Sequence, residues 1–266
     1  MVMLPSLFIA HGAPSLAIEE HAYTEFLRRL AVSLPTPKAI VLFSAHWESD
    51  VQKISAAIEP EMLYDFYGFS DDLYDMEYLA KGDLTLSLHI QQLLEQEGIR
   101  CEMDDRRGLD HGAWGPLSIM YPDARIPVVT MSVNPRLAAE EHIRIGAALG
   151  SLRQEQVLII GSGGTVHNLR KLDSNNPVPQ LWAVEFDEWL AEQLETWHVE
   201  ALIRYDERAP HVGLAVPTPE HFIPLLIAFG AGEASRNAKL LHHSFQLGTL
   251  SLCCWMFGRF KEFRKA

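Results

Sequence analysis

Residues 157–168 read VLIIGSGGTVHN. Four apolar residues from Val157 to Ile160 run without a polar break, then open onto a glycine-rich segment that delivers His167. A short apolar run bounded by glycine reads as a strand buried on both faces, as in a parallel sheet covered by helices. The plan recurs upstream. LFIA at 7–10 leads directly into His11-Gly12, and the run 39–43 leads through VLFSA into His46-Trp47. Residues 126–131 supply a further buried run. Helical spacing fills the intervals. Within 20–34 the apolar residues Tyr23, Phe26, Leu27, Leu30 and Leu34 fall on one stripe. Residues 83–97 start at Asp83, an N-cap type, and stop at Gly98, a C-cap type. Residues 135–152 and 180–197 are helical by the same period. Strand and helix in alternation predict an α/β fold, with a mostly parallel or mixed central sheet flanked by helices. Residues 239–243 and 250–256 read as late strands forming an antiparallel edge. The stretch 58–81 has no period, is rich in aromatics and aspartates, and is expected to be a functional loop.

The chain has 266 residues, 48% of them hydrophobic and 21% charged. That is a globular profile, and one domain over 1–266 is expected. Lys and Arg number 22 against 35 Asp and Glu, a net charge of −13. Such a balance argues against nucleic acid and against anionic membranes as partners. The 3 cysteines, Cys101, Cys253 and Cys254, make no disulfide framework and fit a reducing cytosol. The first basic residue is Arg28, so the N-terminus lacks a basic leader region. No window approaches the ~18 uninterrupted apolar residues of a membrane span. A cytoplasmic protein, monomeric or a small homo-oligomer, is the expectation.

The 12 histidines carry the chemistry. His11, His46 and His167 each follow a strand run, and in open α/β sheets ligands bind beyond the carboxyl ends of the strands. Parallel strands would therefore bring these three imidazoles to one edge. His221 lies in PTPEHFIPLL, past Pro219 at a helix start, and His111 lies in LDHGAWGPL, read as a glycine-flanked loop. Converging imidazoles without thiolates suit a catalytic metal rather than a structural one. Glu220 is either a ligand or a partner of a ligand, and Asp110, Glu48 and Asp206 are candidate carboxylate partners. His21, His89 and His142 read as helical surface or half-buried residues. His242 and His243, adjacent on a strand, point to opposite faces. Trp47 and Trp114 either stack on an aromatic ligand or pack the sheet edge, and packing is expected.

Other chemistries lack their motifs. The Gly161–Gly164 run fails as a dinucleotide fingerprint, because Val166 stands where the last glycine belongs. There is no phosphate-binding GxxxxGK[ST], no HExxH and no GxSxG. Cys253 and Cys254 sit in an apolar strand run and read as buried rather than nucleophilic.

The ordered set FIAHGAPS, VLFSAHW, LDHGAWGPL, GSGGTVHNL and PTPEHFIPLL, together with YDFYGF at 64–69, resembles the class III extradiol ring-cleavage dioxygenases. The likeness extends from about Leu7 to Phe257 and is nearest the branch that acts on 4,5-DOPA. It implies a single non-haem divalent metal ion, Fe2+ for ring cleavage, with Zn2+ also known in the branch. It implies His11, His46 and His221 as ligands, with Glu220 the rival of His221. It implies His167 as the acid/base in ring cleavage or as a fourth ligand, and His111 as a further active-site histidine. The expected substrates are a catechol and O2. In that chemistry His167 takes a catechol proton and His111 orients O2 through a hydrogen bond. Two other readings use the same imidazoles: a zinc hydrolase acting through bound hydroxide, and a non-enzymatic metal-binding protein.

Overall fold

The computed structural model describes residues 3–173 and 178–259, so the ends of the expected 1–266 domain lie outside the described residues. The buried runs become strands: β1 (Ser6–Ala10), β2 (Ala39–Glu48), β3 (Gln52–Ser55), β4 (Cys101–Asp104), β5 (Val128–Val133), β6 (Val157–Gly163), β7 (Ala238–Gln246) and β8 (Leu250–Phe257). They hydrogen-bond as one sheet in the order β4-β3-β5-β2-β6-β1-β8-β7. The centre is parallel: β6 pairs with β1 on one side and β2 on the other, and β2 pairs with β5. At one edge β8 runs antiparallel to β1 and to β7, as the sequence pattern predicts. At the other edge β3 is antiparallel to β5 but parallel to β4. The sheet is therefore mixed, in a single α/β domain.

The helices are α1 (Ala22–Ser33), α2 (Leu84–Gln96), α3 (His111–Met120), α4 (Ala139–Ala148), α5 (Leu181–Glu195), the short α6 (Val199–Ile203), α7 (Tyr205–Arg208) and α8 (Val212–Ala215), and α9 (Ile223–Ala231). Alternation along the strands sorts the core. Leu7, Ile9, Leu42, Leu158 and Ile160 pack with Leu27 and Leu30 of α1 and Trp114 and Leu117 of α3. The intervening Val41, Phe43, Val129 and Ile159 face the opposite side, against Ile90 of α2, Ile145 of α4 and Ile227 of α9. Phe8 and Ala10 share that side with Phe186 of α5 and Phe229 of α9. α9 is buried along its whole length, which explains why its sequence is apolar all round. Among the described residues no helix is long and apolar enough to cross a membrane.

Several expectations change. β2 does not stop at Phe43 but continues to Glu48, with a register shift against β5 between those residues. His46 therefore sits within the strand, at an irregularity that re-aims side chains. His111 is not in a loop: it is the first residue of α3, whose N-cap Asp110 accepts the Ala113 N–H. His21 is the N-cap of α1 rather than a residue within it. His142 is not at the surface but 2% exposed.

Burial holds the His142 pKa down to about 4, only partly offset by Glu141. The ring is neutral when folded and takes a proton more readily when unfolded. Its contribution is intact above about pH 6.5 and is lost as the pH falls toward 4. The loss should reach about 2 kcal/mol at pH 5. Urea unfolding at pH 7.5 and pH 5 should show a steeper loss for the parent protein than for His142→Leu. Equal slopes would contradict this account.

Candidate metal centre

β6 lies between β1 and β2, so the carboxyl ends of three adjacent parallel strands meet at one point. His11 leaves the end of β1, His46 lies two residues before the end of β2, and His167 follows β6 by a short loop. His111 arrives from the start of α3, and His221 from the segment before α9. Ring centroids lie 4.9 Å apart for His11–His46, 5.2 Å for His11–His221 and 5.0 Å for His46–His221. His111 is 4.0 Å from His46 and 5.5 Å from His11. All five imidazoles predicted from the sequence are thus gathered at one place.

Glycines make this approach possible. A Cβ on Gly163 would stand 2.1 Å from the His221 carbonyl oxygen, so only glycine lets the His221 segment lie directly on β6. The Gly164 N–H donates to that same carbonyl at 2.9 Å. The glycine run that fails as a dinucleotide loop is therefore a packing surface for a site histidine. On α3, a Cβ at Gly112 would meet Ser44 Oγ at 2.8 Å and His46 Cδ2 at 3.0 Å. Ser44 Oγ in turn donates to Asp110 Oδ1 at 2.6 Å, fastening β2 to the helix start.

The hydrogen bonds fix which nitrogens carry protons. Ser162 Oγ donates to the Gly112 carbonyl, so it accepts from His11 Nδ1 at 3.0 Å. His46 Nδ1 faces Asp65 Oδ2 at 3.2 Å, and His221 Nδ1 faces Glu220 Oε1 at 3.0 Å. Burial works to raise both carboxyls, but their histidine partners overcome it. Asp65 is held well below the usual carboxylate range, and Glu220 at about 2. Ionised carboxylates only accept, so each ring places its proton on Nδ1 and keeps a lone pair on Nε2. His11 Nε2 and His46 Nε2 then face each other at 3.1 Å with no proton to share. His221 Nε2 is sealed from solvent without a hydrogen-bond partner among the described residues. Orphaned, converging lone pairs of this kind fit a divalent cation. The donor atoms of His11, His46 and His221 all lie within 4.8 Å of one another.

The electrostatics agree. Burial, reinforced by the other four histidines, pushes His11 well below its ordinary value. Burial likewise lowers His221, against the pull of Glu220. Neutral imidazole is the form that binds metal.

His167 stands differently. Its ring stacks on His221, centroids 3.5 Å apart and planes within 7°. Its donor atoms group with Glu220 and His221 rather than with His11 and His46. The backbone is held by the His167 N–H to the Ala215 carbonyl and by Asn168 Nδ2 to the Leu214 carbonyl, each at 2.9 Å. Burial first, then His221, takes its pKa down to about 3. No hydrogen bond to its ring nitrogens occurs among the described residues, so its tautomer is free.

Of the expected carboxylate partners, Glu220 pairs with a site histidine and the other three do not among the described residues. Asp110 caps α3 and pairs with Arg107; Glu48 and Asp206 contact none of the five rings among the described residues. Glu220 serves His221. Asp65, which the sequence reading missed, serves His46 and also accepts His111 Nδ1–H at 2.8 Å and the His111 backbone N–H at 3.1 Å. Its signal lay in YDFYGF, where the aromatics drew attention and the acid did not. Trp114 is fully buried and Trp47 lies under Arg107, so both pack, as expected. Phe66 is the loop aromatic that reaches the site, its ring edge-on to His111 at 5.7 Å.

The chain matches, over residues 6–257, the family described as the catalytic LigB subunit of aromatic ring-opening dioxygenase. A protein named 4,5-DOPA dioxygenase extradiol from Beta vulgaris is 40% identical over 256 residues, spanning 95% of this chain and 96% of that one. Its namesake from Escherichia coli (strain K12) is 36% identical over 262 residues, spanning 96% and 95%. A crystal structure of an uncharacterized protein from Escherichia coli K12 superposes with a TM-score of 0.82 at 33% identity, covering 96% of this chain and 100% of that one.

Proposed function

The chain belongs to the family of the catalytic LigB subunit of aromatic ring-opening dioxygenases, and on that premise we propose that it opens a catechol such as 4,5-DOPA at an Fe(II) ion held by His11, His46 and His221. Extradiol ring cleavage itself follows from the family and from relatives about 40% identical over nearly the whole chain. The observation that supports the ligand assignment is the set of committed Nδ1 protons, which leaves three Nε2 lone pairs turned toward one another. Fe(II) is preferred to Zn(II) because ring opening by O2 needs a metal that exchanges electrons, which zinc does not do. A bound Fe(II) supplies a Lewis-acidic, redox-active centre that brings catechol and O2 together. DOPA as the substrate class rests on the names of the relatives.

The protein's own groups handle orientation and protons. His167, neutral and with no hydrogen bond to its ring nitrogens among the described residues, takes the proton from a catechol hydroxyl while the electron pair stays on the oxygen. The proton is then available for return to the opened product. With its Nδ1–H held by Asp65, His111 turns Nε2 toward the reactants, and the neutral form of the ring would accept a hydrogen bond there. Phe66, packed against His111 and Trp114, walls the site with apolar surface and limits water. Both atoms of O2 enter the product, and no external reductant is consumed.

Anaerobic Fe(II)-loaded protein mixed with DOPA and then exposed to air should take up one O2 per catechol and develop a yellow ring-opened chromophore. A Zn(II)-loaded control should be silent. Amide hydrolysis by the zinc form, with an inert iron form, would overturn the assignment.

A further inference from the structure

We propose that Asp65 is a positioning residue that uses its two carboxylate oxygens to lock His46 and His111 in the same tautomer, making one a metal ligand and the other a hydrogen-bond acceptor for substrate. The inference rests on the metal-centre reading above and extends it to the 58–81 loop. The geometry is a clamp. Oδ2 meets His46 Nδ1 at 3.2 Å, while Oδ1 takes His111 Nδ1–H at 2.8 Å and the His111 backbone N–H at 3.1 Å.

The clamp is held from behind. Leu63 N–H donates to the Leu109 carbonyl and Leu109 N–H to the Glu61 carbonyl, each at 2.8 Å, so Asp65 is tied to the strand-like segment entering α3. Trp114 Nε1 donates to the Leu63 carbonyl at 3.1 Å, and Tyr64 Oη to the Met76 carbonyl at 2.7 Å. The loop is thereby fastened to the helix that carries His111.

A carboxylate has no proton to offer, so both rings present Nδ1–H to it, and in the neutral form each keeps Nε2 as a lone pair. For His46 that nitrogen is the one facing His11. For His111 it is a nitrogen without a protein partner among the described residues, suited to accept a hydrogen bond from a catechol hydroxyl. An asparagine has the same shape but only one acceptor oxygen. Its NH2 must face one of the two Nδ1 atoms and drive that ring's proton to Nε2. Either the metal loses a ligand lone pair, or His111 becomes a donor.

The test compares the Zn(II)-loaded parent protein, Asp65→Asn and Asp65→Glu. Two-bond 1H–15N correlations of 15N-histidine protein read the tautomer of each ring, and chelator competition reads Zn(II) affinity. The parent should show Nδ1–H at both His46 and His111. Asp65→Asn should invert one of the two rings, and inversion of His46 should weaken Zn(II) roughly 10–100-fold. Asp65→Glu, which keeps two acceptor oxygens, should restore the parent tautomers at least in part. An Nε2–H tautomer at His111 in the parent protein overturns the proposal without any variant. Identical tautomers and affinity in Asp65→Asn overturn it as well. Failure of the parent to bind Zn(II) would count against the metal-centre reading alone, since the ring tautomers still decide the role of Asp65.

Discussion

Alanine at His11 or at His46 is expected to strip the protein of its metal and of measurable ring opening. Each substitution would remove one of the three imidazole nitrogens proposed to hold the metal, and a set of three has none to spare. Neither side chain belongs to the apolar clusters that hold the sheet against its helices. The fold should therefore survive, with stability changed by about 1–3 kcal/mol, the ordinary range for point substitutions. Elemental analysis after Fe(II) loading and gel filtration should give about one metal per chain for the parent protein and close to none for either variant. Circular dichroism should be superimposable. Normal metal content in a His11→Ala/His46→Ala double variant would contradict the ligand assignment.

Replacement of His167 by asparagine should have a different signature. Turnover should fall by about 10²–10⁴-fold, the usual contribution of a positioned proton-transfer group, while metal content stays at the parent level. The reasoning is geometric. His167 lies face-on against His221, outside the set formed by His11, His46 and His221. If His167 were a fourth ligand, the variant would lose metal affinity in step with activity. Chelator competition and single-turnover ring opening on the same samples separate the two roles.

The strand-end rule explains why so much of the site was legible in the sequence. Once LFIA, VLFSA and VLII are read as buried parallel strands, His11, His46 and His167 must emerge at one edge, and they do. The convergence of His221 depends on a contact that no local pattern encodes, the close approach of its backbone to Gly163. The glycine run invited a cofactor reading because steric permission for a ligand and for another chain segment look alike in sequence. β3 went unnoticed because QKIS is short, with a single fully apolar side chain to mark its inner face. Asp65 was missed for a physical reason too. It sits in a loop without period, and its partners lie 19 and 46 residues along the chain, brought to it only by the folded α3 and β2. His142 reads as surface or half-buried because one polar residue on an amphipathic helix says little about which neighbour covers it. Here α4 is packed along α9, and its histidine is enclosed.

The most direct test of the central claim is crystallographic: an anomalous difference map from Fe(II)-loaded crystals, recorded on both sides of the iron absorption edge. A single peak bonded to the Nε2 atoms of His11, His46 and His221 is the predicted result. Iron bound elsewhere on the chain, or coordinated through Asp65 or Glu220 in place of those imidazoles, would contradict it.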